Sequence, residues 1–228
     1  MTNYKNPYED QKEMAARFRR HGHRVVVGGM WDEVGALQLE FLKARGLEPG
    51  HWLLDVGCGA LRGGVGFVKY LDAAHYYGID INQSLLDAGY GVELPKRGLR
   101  RKMPRENLLC CDDFDASSFG VEFDFALAVS VFTHMPLEDV ARALAATARV
   151  MKSGGGFYAT FFDAPEGPSL PAKLARGPGD FATFGDENPF HQRPSDLVAA
   201  AGEGCWRTEI IGDWGHPRGQ KMALFERL

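Results

Sequence analysis

The stretch "LLDVGCGALRGG", Leu53 to Gly64, decides how the rest of the chain is read. Apolar residues run into an acid, Asp55, and then into a loop carrying Gly57, Gly59 and Gly63. Glycine belongs where a ligand or another backbone comes too close for a Cβ. A buried strand ending in an acid and a glycine loop predicts a ligand beyond the strand's carboxyl end, where open α/β sheets bind their ligands. The glycines are spaced G-x-G-x-x-x-G rather than as the dinucleotide fingerprint G-x-G-x-x-G. The loop also lacks the Gly-Lys-Ser/Thr ending of a P-loop.

Outward from this stretch, apolar runs alternate with amphipathic segments. "HWLLDV", "AHYYGIDI", "ENLLCC", "EFDFALAVS" and "GGGFYATFF" read as strands. Helices are expected over 9–20, 31–45 and 63–71, after Asn82 or Ser84 as a cap, and after Pro136, with Val140, Leu144, Thr147 and Met151 on one face. Alternation over this length predicts a parallel, doubly wound α/β sheet. A short helix near Ser195 follows, and "CWRTEIIGDW" and "GQKMALFERL" read as a closing antiparallel hairpin. Ahead of that helix, "DAPEGPSLPAKLARGPGDFATFGDENPFHQRP" is long and proline-rich, as loops that are either functional or disordered are.

Acids also fall at the ends of two further strands. Asp80 closes "YYGID", about 20 residues beyond the glycine loop, the distance at which an acid accepts ribose hydroxyls. "CCDDFD" puts Asp112, Asp113 and Phe114 after the third strand, where an acid can accept from an adenine amino group and a ring can pack on the base.

These motifs, with "FDFALAVSVFTHM" and "MKSGGGF", resemble the successive motifs of class I S-adenosylmethionine-dependent methyltransferases. The resemblance covers roughly residues 31–163 and, weakly, the closing hairpin. It implies a Rossmann-like sheet of seven strands whose last strand is antiparallel, with helices on both faces. It further implies that Asp55, Gly57 and Gly59 wrap the methionine end of S-adenosylmethionine. Asp80 and Ile81 would meet the ribose side, Asp113 and Phe114 the adenine, and Ser130 would lie beside the cofactor. Arg62, bulky in such a loop, is read as a partner of the cofactor carboxylate. The domain reading is an N-terminal helical extension over 1–30 and a methyltransferase domain over 31–228 with a lid-like insertion at about 163–193.

The acceptor is read as a small-molecule hydroxyl, on a sugar or similar metabolite. A hydroxyl needs a base, and the candidates are His134, His191, His216 and Asp163. The alternatives are an RNA or protein methyltransferase using the basic segment 96–105, and a cofactor-binding protein without catalysis.

The 228 residues are 45% hydrophobic, enough for one core, and the formal charge of −4 offers no bulk attraction to nucleic acid. "MTNYKNPYED" is not a signal peptide, and the longest apolar run, "FALAVSVF", is far short of the ~20 residues of a membrane helix. Cys58, Cys110, Cys111 and Cys205 form no spaced framework, so a cytoplasmic protein with no metal site is expected. The oligomeric state is left open.

Overall fold

The structure, a computed structural model, describes residues 8, 10–177 and 181–228. The expected N-terminal extension and lid therefore fall in part, at 1–7, 9 and 178–180, outside the described residues. The chain opens with α1 (Gln11–His21), whose N-cap Asp10 accepts from the backbone N–H groups of Lys12 and Glu13. Next come α2 (His23–Val26) and α3 (Trp31–Ala44).

The alternating part begins at β1 (Leu53–Val56) and α4 (Gly64–Tyr70). It continues through β2 (Tyr76–Asp80) and α5 (Gln83–Ala88), capped by the Asn82 side chain. A π turn at Gly89–Glu93 leads into α6 (Leu94–Lys96), and β3 (Leu108–Cys110), β4 (Phe123–Ala128), α7 (Leu137–Ala148) and β5 (Met151–Phe161) follow. Met151, expected on the helix after Pro136, is instead the first residue of β5, because that helix ends at Ala148.

After β5 the proline-rich stretch forms a small two-stranded sheet, β6 (Lys173–Ala175) against β7 (Ala182–Phe184), then α8 (Pro194–Ala201). The chain closes with β8 (Trp206–Asp213) and β9 (Lys221–Arg227). The main sheet has seven strands in the order β3-β2-β1-β4-β5-β9-β8. Strands β1 to β5 are parallel, and β9 slots between β5 and β8 antiparallel to both. This is the seven-stranded Rossmann-like architecture expected from the alternation and the resemblance.

Every residue of β1 is buried. Leu54 and Val56 join the layer of Leu144 and Phe157 on one face, while Leu53 joins Leu42 and Phe67 on the other. A central strand covered on both faces must be apolar throughout. That is why Asp55 stands out as a buried acid within it. Each such aliphatic side chain contributes about 1.5–3 kcal/mol by leaving water, so the sheet's carboxyl edge is held rigidly.

Candidate active site

A cavity of about 320 Å³ opens at the carboxyl ends of the central strands. Its floor is the glycine loop. Gly57 has φ +70° and donates its N–H to the Ile79 carbonyl at 2.8 Å. A Cβ there would stand 2.4 Å from Val131 Cγ2, so no other residue fits both the conformation and the space. Gly59 has φ +54° and donates to Asp80 Oδ2 at 2.8 Å. The other Asp80 oxygen accepts from the Asn82 N–H at 2.8 Å.

The two acids are held differently from surface carboxylates. Burial pushes Asp55 up to about 7; the Tyr76 hydroxyl, donating to Oδ2 at 2.7 Å, opposes the rise, and Asp80 adds to it. Burial likewise raises Asp80 to about 6, against the two backbone N–H groups that it accepts. Both are poised to become fully ionised when something positive or hydrogen-bond-donating arrives.

Three lining residues carry backbone strain. Met30 has φ +45°, Phe114 φ +62° and Ser130 φ +61°, values uncommon outside glycine. Ser130 is fixed from behind. Its N–H donates to Thr160 Oγ1 at 2.7 Å, Thr160 donates to Gln220 Oε1 at 2.7 Å, and Gln220 Nε2 donates to Ser130 Oγ at 3.0 Å. Such strain persists where the surroundings over-determine a position, which is common at ligand sites.

Of the residues singled out from sequence, Asp55, Gly57, Gly59, Arg62, Asp80, Ile81, Phe114, Ser130, His134 and His216 line this one cavity. Three do not. Asp113 turns away to accept from the Asp115 N–H at 3.0 Å, and its neighbour Asp112 lines the cavity instead. His191 is fully buried with both ring nitrogens engaged, by Thr183 Oγ1 at 2.9 Å and the Pro171 carbonyl at 2.8 Å, so it fixes the insertion rather than acting as a base. Asp163 is ion-paired with Arg176 Nη1 at 2.9 Å, away from the cavity.

The two histidines that do line the cavity present opposite chemistry. His134 Nδ1 lies 2.6 Å from Asn188 Oδ1, an acceptor, so Nδ1 carries the proton and Nε2 is the basic nitrogen. Burial lowers the His134 pKa, the bond to Asn188 works against this, and Arg218 lowers it further. In His216 the arrangement is reversed. Its Nδ1 accepts from the Arg218 backbone N–H at 3.2 Å, so the neutral ring carries its proton on Nε2. Burial, then Arg62 and Arg218, bring His216 down to about 4, and it is neutral at pH 7. His216 is therefore a donor and not the base.

Sequence reasoning missed the cover. Tyr8, Arg17, Val25, Val26, Val27 and Met30 line the cavity, while no described residue of 163–193 does. The insertion reaches the site from behind, through Asn188 on His134 and through Gln192 Nε2, which donates to the Met135 carbonyl at 3.0 Å. The cover packs Met14 and Val26 on Ala60, Leu85 and Ala88, and polar bonds fasten it at several places. Arg62 Nη1 donates to the carbonyls of Val27 at 3.0 Å and Gly29 at 3.3 Å. Glu93, with no exposed side chain, receives His23 Nε2 at 2.5 Å, Arg24 Nη2 at 2.8 Å and Arg97 Nη1 at 2.6 Å. Burial alone would raise Glu93, but the bonds from Arg24, His23 and Arg97 outweigh it and hold the carboxyl at about 2.

Three of the six cations in the basic segment have polar partners within the molecule, while Lys96, Arg100 and Arg101 are exposed. Arg97 pairs with Glu93, Lys102 Nζ donates to the Lys69 carbonyl at 2.8 Å, and Arg105 pairs with Asp87 at 3.1 Å. None of residues 96–105 lines the cavity. Among the described residues no group of histidine, cysteine or acidic side chains is arranged to hold a metal, and no helix is long and apolar enough to cross a membrane.

Known proteins share this fold and part of this sequence. Residues 54–157 match the methyltransferase domain family. The ubiquinone biosynthesis O-methyltransferase of Thiobacillus denitrificans is 29% identical over 219 residues, covering 86% of this chain and 83% of that protein. The protein of the same name from Hahella chejuensis is 31% identical over 128 residues, covering 55% of this chain; the chain spans about half the length of that relative, 49%. Among solved structures, magnesium protoporphyrin IX methyltransferase from Synechocystis, with bound SAM, has the same fold. Its TM-score is 0.60 at 16% identity, over 96% of this chain and 97% of that one.

Proposed function

We propose that this protein, a class I S-adenosylmethionine-dependent methyltransferase, methylates a hydroxyl of a small, apolar-bodied acceptor, with His134 as the general base. The cofactor supplies an electrophilic methyl group on a positively charged sulfur. The residues present suit it: two buried acids for a cationic, hydroxyl-bearing ligand, a glycine cradle for close approach, and Arg62 for a carboxylate. Asp80 is the ribose acceptor, Ile81, Asp112 and Phe114 the adenine contacts, and Asp55, Gly57, Gly59 and Ser130 the wall of the methionine end. Asp112 takes the place first read for Asp113.

The observation that carries the hydroxyl reading is the tautomer of His134. An aliphatic or aromatic hydroxyl attacks poorly until its proton is removed. The acceptor oxygen forms its bond to the methyl carbon as Nε2 takes the hydroxyl proton, and the carbon–sulfur electron pair stays on sulfur. Asn188 holds the ring so that Nε2 is the nitrogen able to do this. The cover excludes water, which would compete for the methyl group.

The apolar wall of Val25, Val26, Val27, Met30, Val131 and Met135 supports a flat or apolar-bodied acceptor such as a phenol. It offers the many hydroxyls of a sugar few partners. The names of the two sequence relatives, both O-methyltransferases, support oxygen as the acceptor atom. The test is transfer of labelled methyl from S-adenosylmethionine to catechol, to a free hexose and to total RNA, with the product bond identified by mass spectrometry. A methyl ether on catechol alone is expected; transfer to hexose or RNA in its place would overturn the reading.

A further inference from the structure

Three arginines, Arg17, Arg62 and Arg218, line the cavity, and none has a carboxylate within ion-pair distance among the described residues. The three converge. Tyr8 feels the charge of all of them, and His216 feels Arg62 and Arg218. The reading above uses one cation, Arg62, for the cofactor carboxylate, which leaves Arg17 and Arg218 without a ligand.

The second observation is His216. It is 5% exposed, lines the same cavity, and its Nε2 has no hydrogen-bond partner among the described residues. Its tautomer makes that atom a donor, because Nδ1 already accepts from the Arg218 N–H. A buried donor without an acceptor is costly unless a ligand supplies one. Arg218 is steered to the same place, its Nη2 fixed on the Gly28 carbonyl at 2.9 Å.

Resting on the methyltransferase reading, we propose that His216 Nε2–H, Arg218 and Arg17 form a subsite for an anionic group of the acceptor, a carboxylate carried on the same apolar body as the hydroxyl. One imidazole N–H beside guanidinium groups suits a planar monoanion that accepts from both. His134 and His216 then divide the acceptor between them, one taking a proton from the hydroxyl and the other donating to the carboxylate. The acceptor class is a hydroxy acid with an apolar or aromatic frame.

The experiment is calorimetry on the full chain saturated with S-adenosylhomocysteine, using benzoate, 3,4-dihydroxybenzoate and catechol as probes. Benzoate is expected to bind, and dihydroxybenzoate to bind about 10-fold or more tighter than catechol, the scale of a charge-assisted hydrogen bond. Arg218→Gln and His216→Phe should each abolish that preference while S-adenosylhomocysteine affinity stays within about twofold; His216→Gln, which keeps an N–H donor, should restore part of it. Absent benzoate binding or equal affinity for the two diols overturns the subsite. So does an Arg218→Gln variant that loses cofactor-product affinity and keeps the preference, because the arginine then serves the cofactor. Benzoate binding that depends on Arg218, with no methyl transfer to any diol, sustains the subsite and overturns the hydroxyl reading instead.

Discussion

The cavity has two halves of different construction. The sheet half, from Asp55 to Ser130, is backed by strands buried on both faces, and its acids and glycines are locked by backbone hydrogen bonds. The cover half, made of α1, α2 and the glycine turn to Met30, rests on a small apolar cluster of Met14, Val26 and Trp31 with Ala60, Leu85 and Ala88, and is fastened besides at Glu93 and Arg62. A large core on both faces of the sheet fixes the first, whereas one small cluster and a few charged fasteners fix the second. On the proposed function, cofactor positioning falls to the rigid half and closure over the acceptor to the other.

The sharpest test of that division is His134→Ala. Removing a general base lowers turnover by on the order of 10²–10⁴, and cofactor affinity, measured by calorimetry, should stay near that of the parent. A parallel loss of cofactor affinity would mean that His134 belongs to the positioning machinery. Next in size is Glu93→Gln. It leaves His23, Arg24 and Arg97 facing a neutral amide, a loss of about 3 kcal/mol, the low end for a broken buried pair because the arginines are partly exposed. Amide exchange should accelerate over 11–30 and stay slow in β1 and β2. Acceleration in all three would erase the difference between the halves.

Gly57→Ala tests the rigid half. The new methyl group meets Val131 and must sit at positive φ, so stability should fall by about 2 kcal/mol. Thermal melting measures this, and Gly57→Ala with Val131→Ala should recover part of it. An unchanged melting temperature would mean that the loop yields.

The smallest effect is pH dependence. The folded-state pKa values of Asp55 and Asp80 are raised to about 7 and about 6, so the free protein binds protons more tightly folded than unfolded. Their contribution to stability is full below about pH 4 and is lost as pH rises through 6 to 7. A cationic, hydroxyl-donating ligand favours the ionised forms, so its affinity should rise over the same window, by about tenfold at most per proton released. Glu93 acts oppositely: held at about 2, it stabilises above about pH 4.5 and that support is lost as pH falls through 2. S-adenosylmethionine affinity at pH 5.5 and 8 checks the first part, and equal values would remove both acids from the site.

The rigid half was legible in the sequence because a buried strand advertises itself by apolar continuity, and an acid or glycine at its end breaks that pattern. Asp55, Gly57, Gly59 and Asp80 were found that way. The choice between Asp112 and Asp113 was not legible, since adjacent residues in a turn point to different sides and composition is silent on which. His191 looked like a functional histidine and is a packed one, because its partners, Thr183 and the Pro171 carbonyl, come together only when the insertion folds. The cover left no readable signal. Tyr8, Arg17 and the valines before Met30 lie on an ordinary charged helix and a turn, and nothing local says that these residues roof a cavity formed far along the chain.

The placement of β9 between β5 and β8 has a consequence for how the enzyme comes into being. During synthesis β1 to β5 emerge first and can pair through successive crossovers. β8 emerges before β9 yet has no place in the sheet until β9 arrives, because its sheet neighbour is β9. That arrival brings Gln220 to Ser130 and Thr160, and His216 and Arg218 to the cavity. The glycine loop and the acids at the ends of β1 and β2 can therefore be in place while the polar end of the cavity, at His216 and Arg218, is still to arrive with β9.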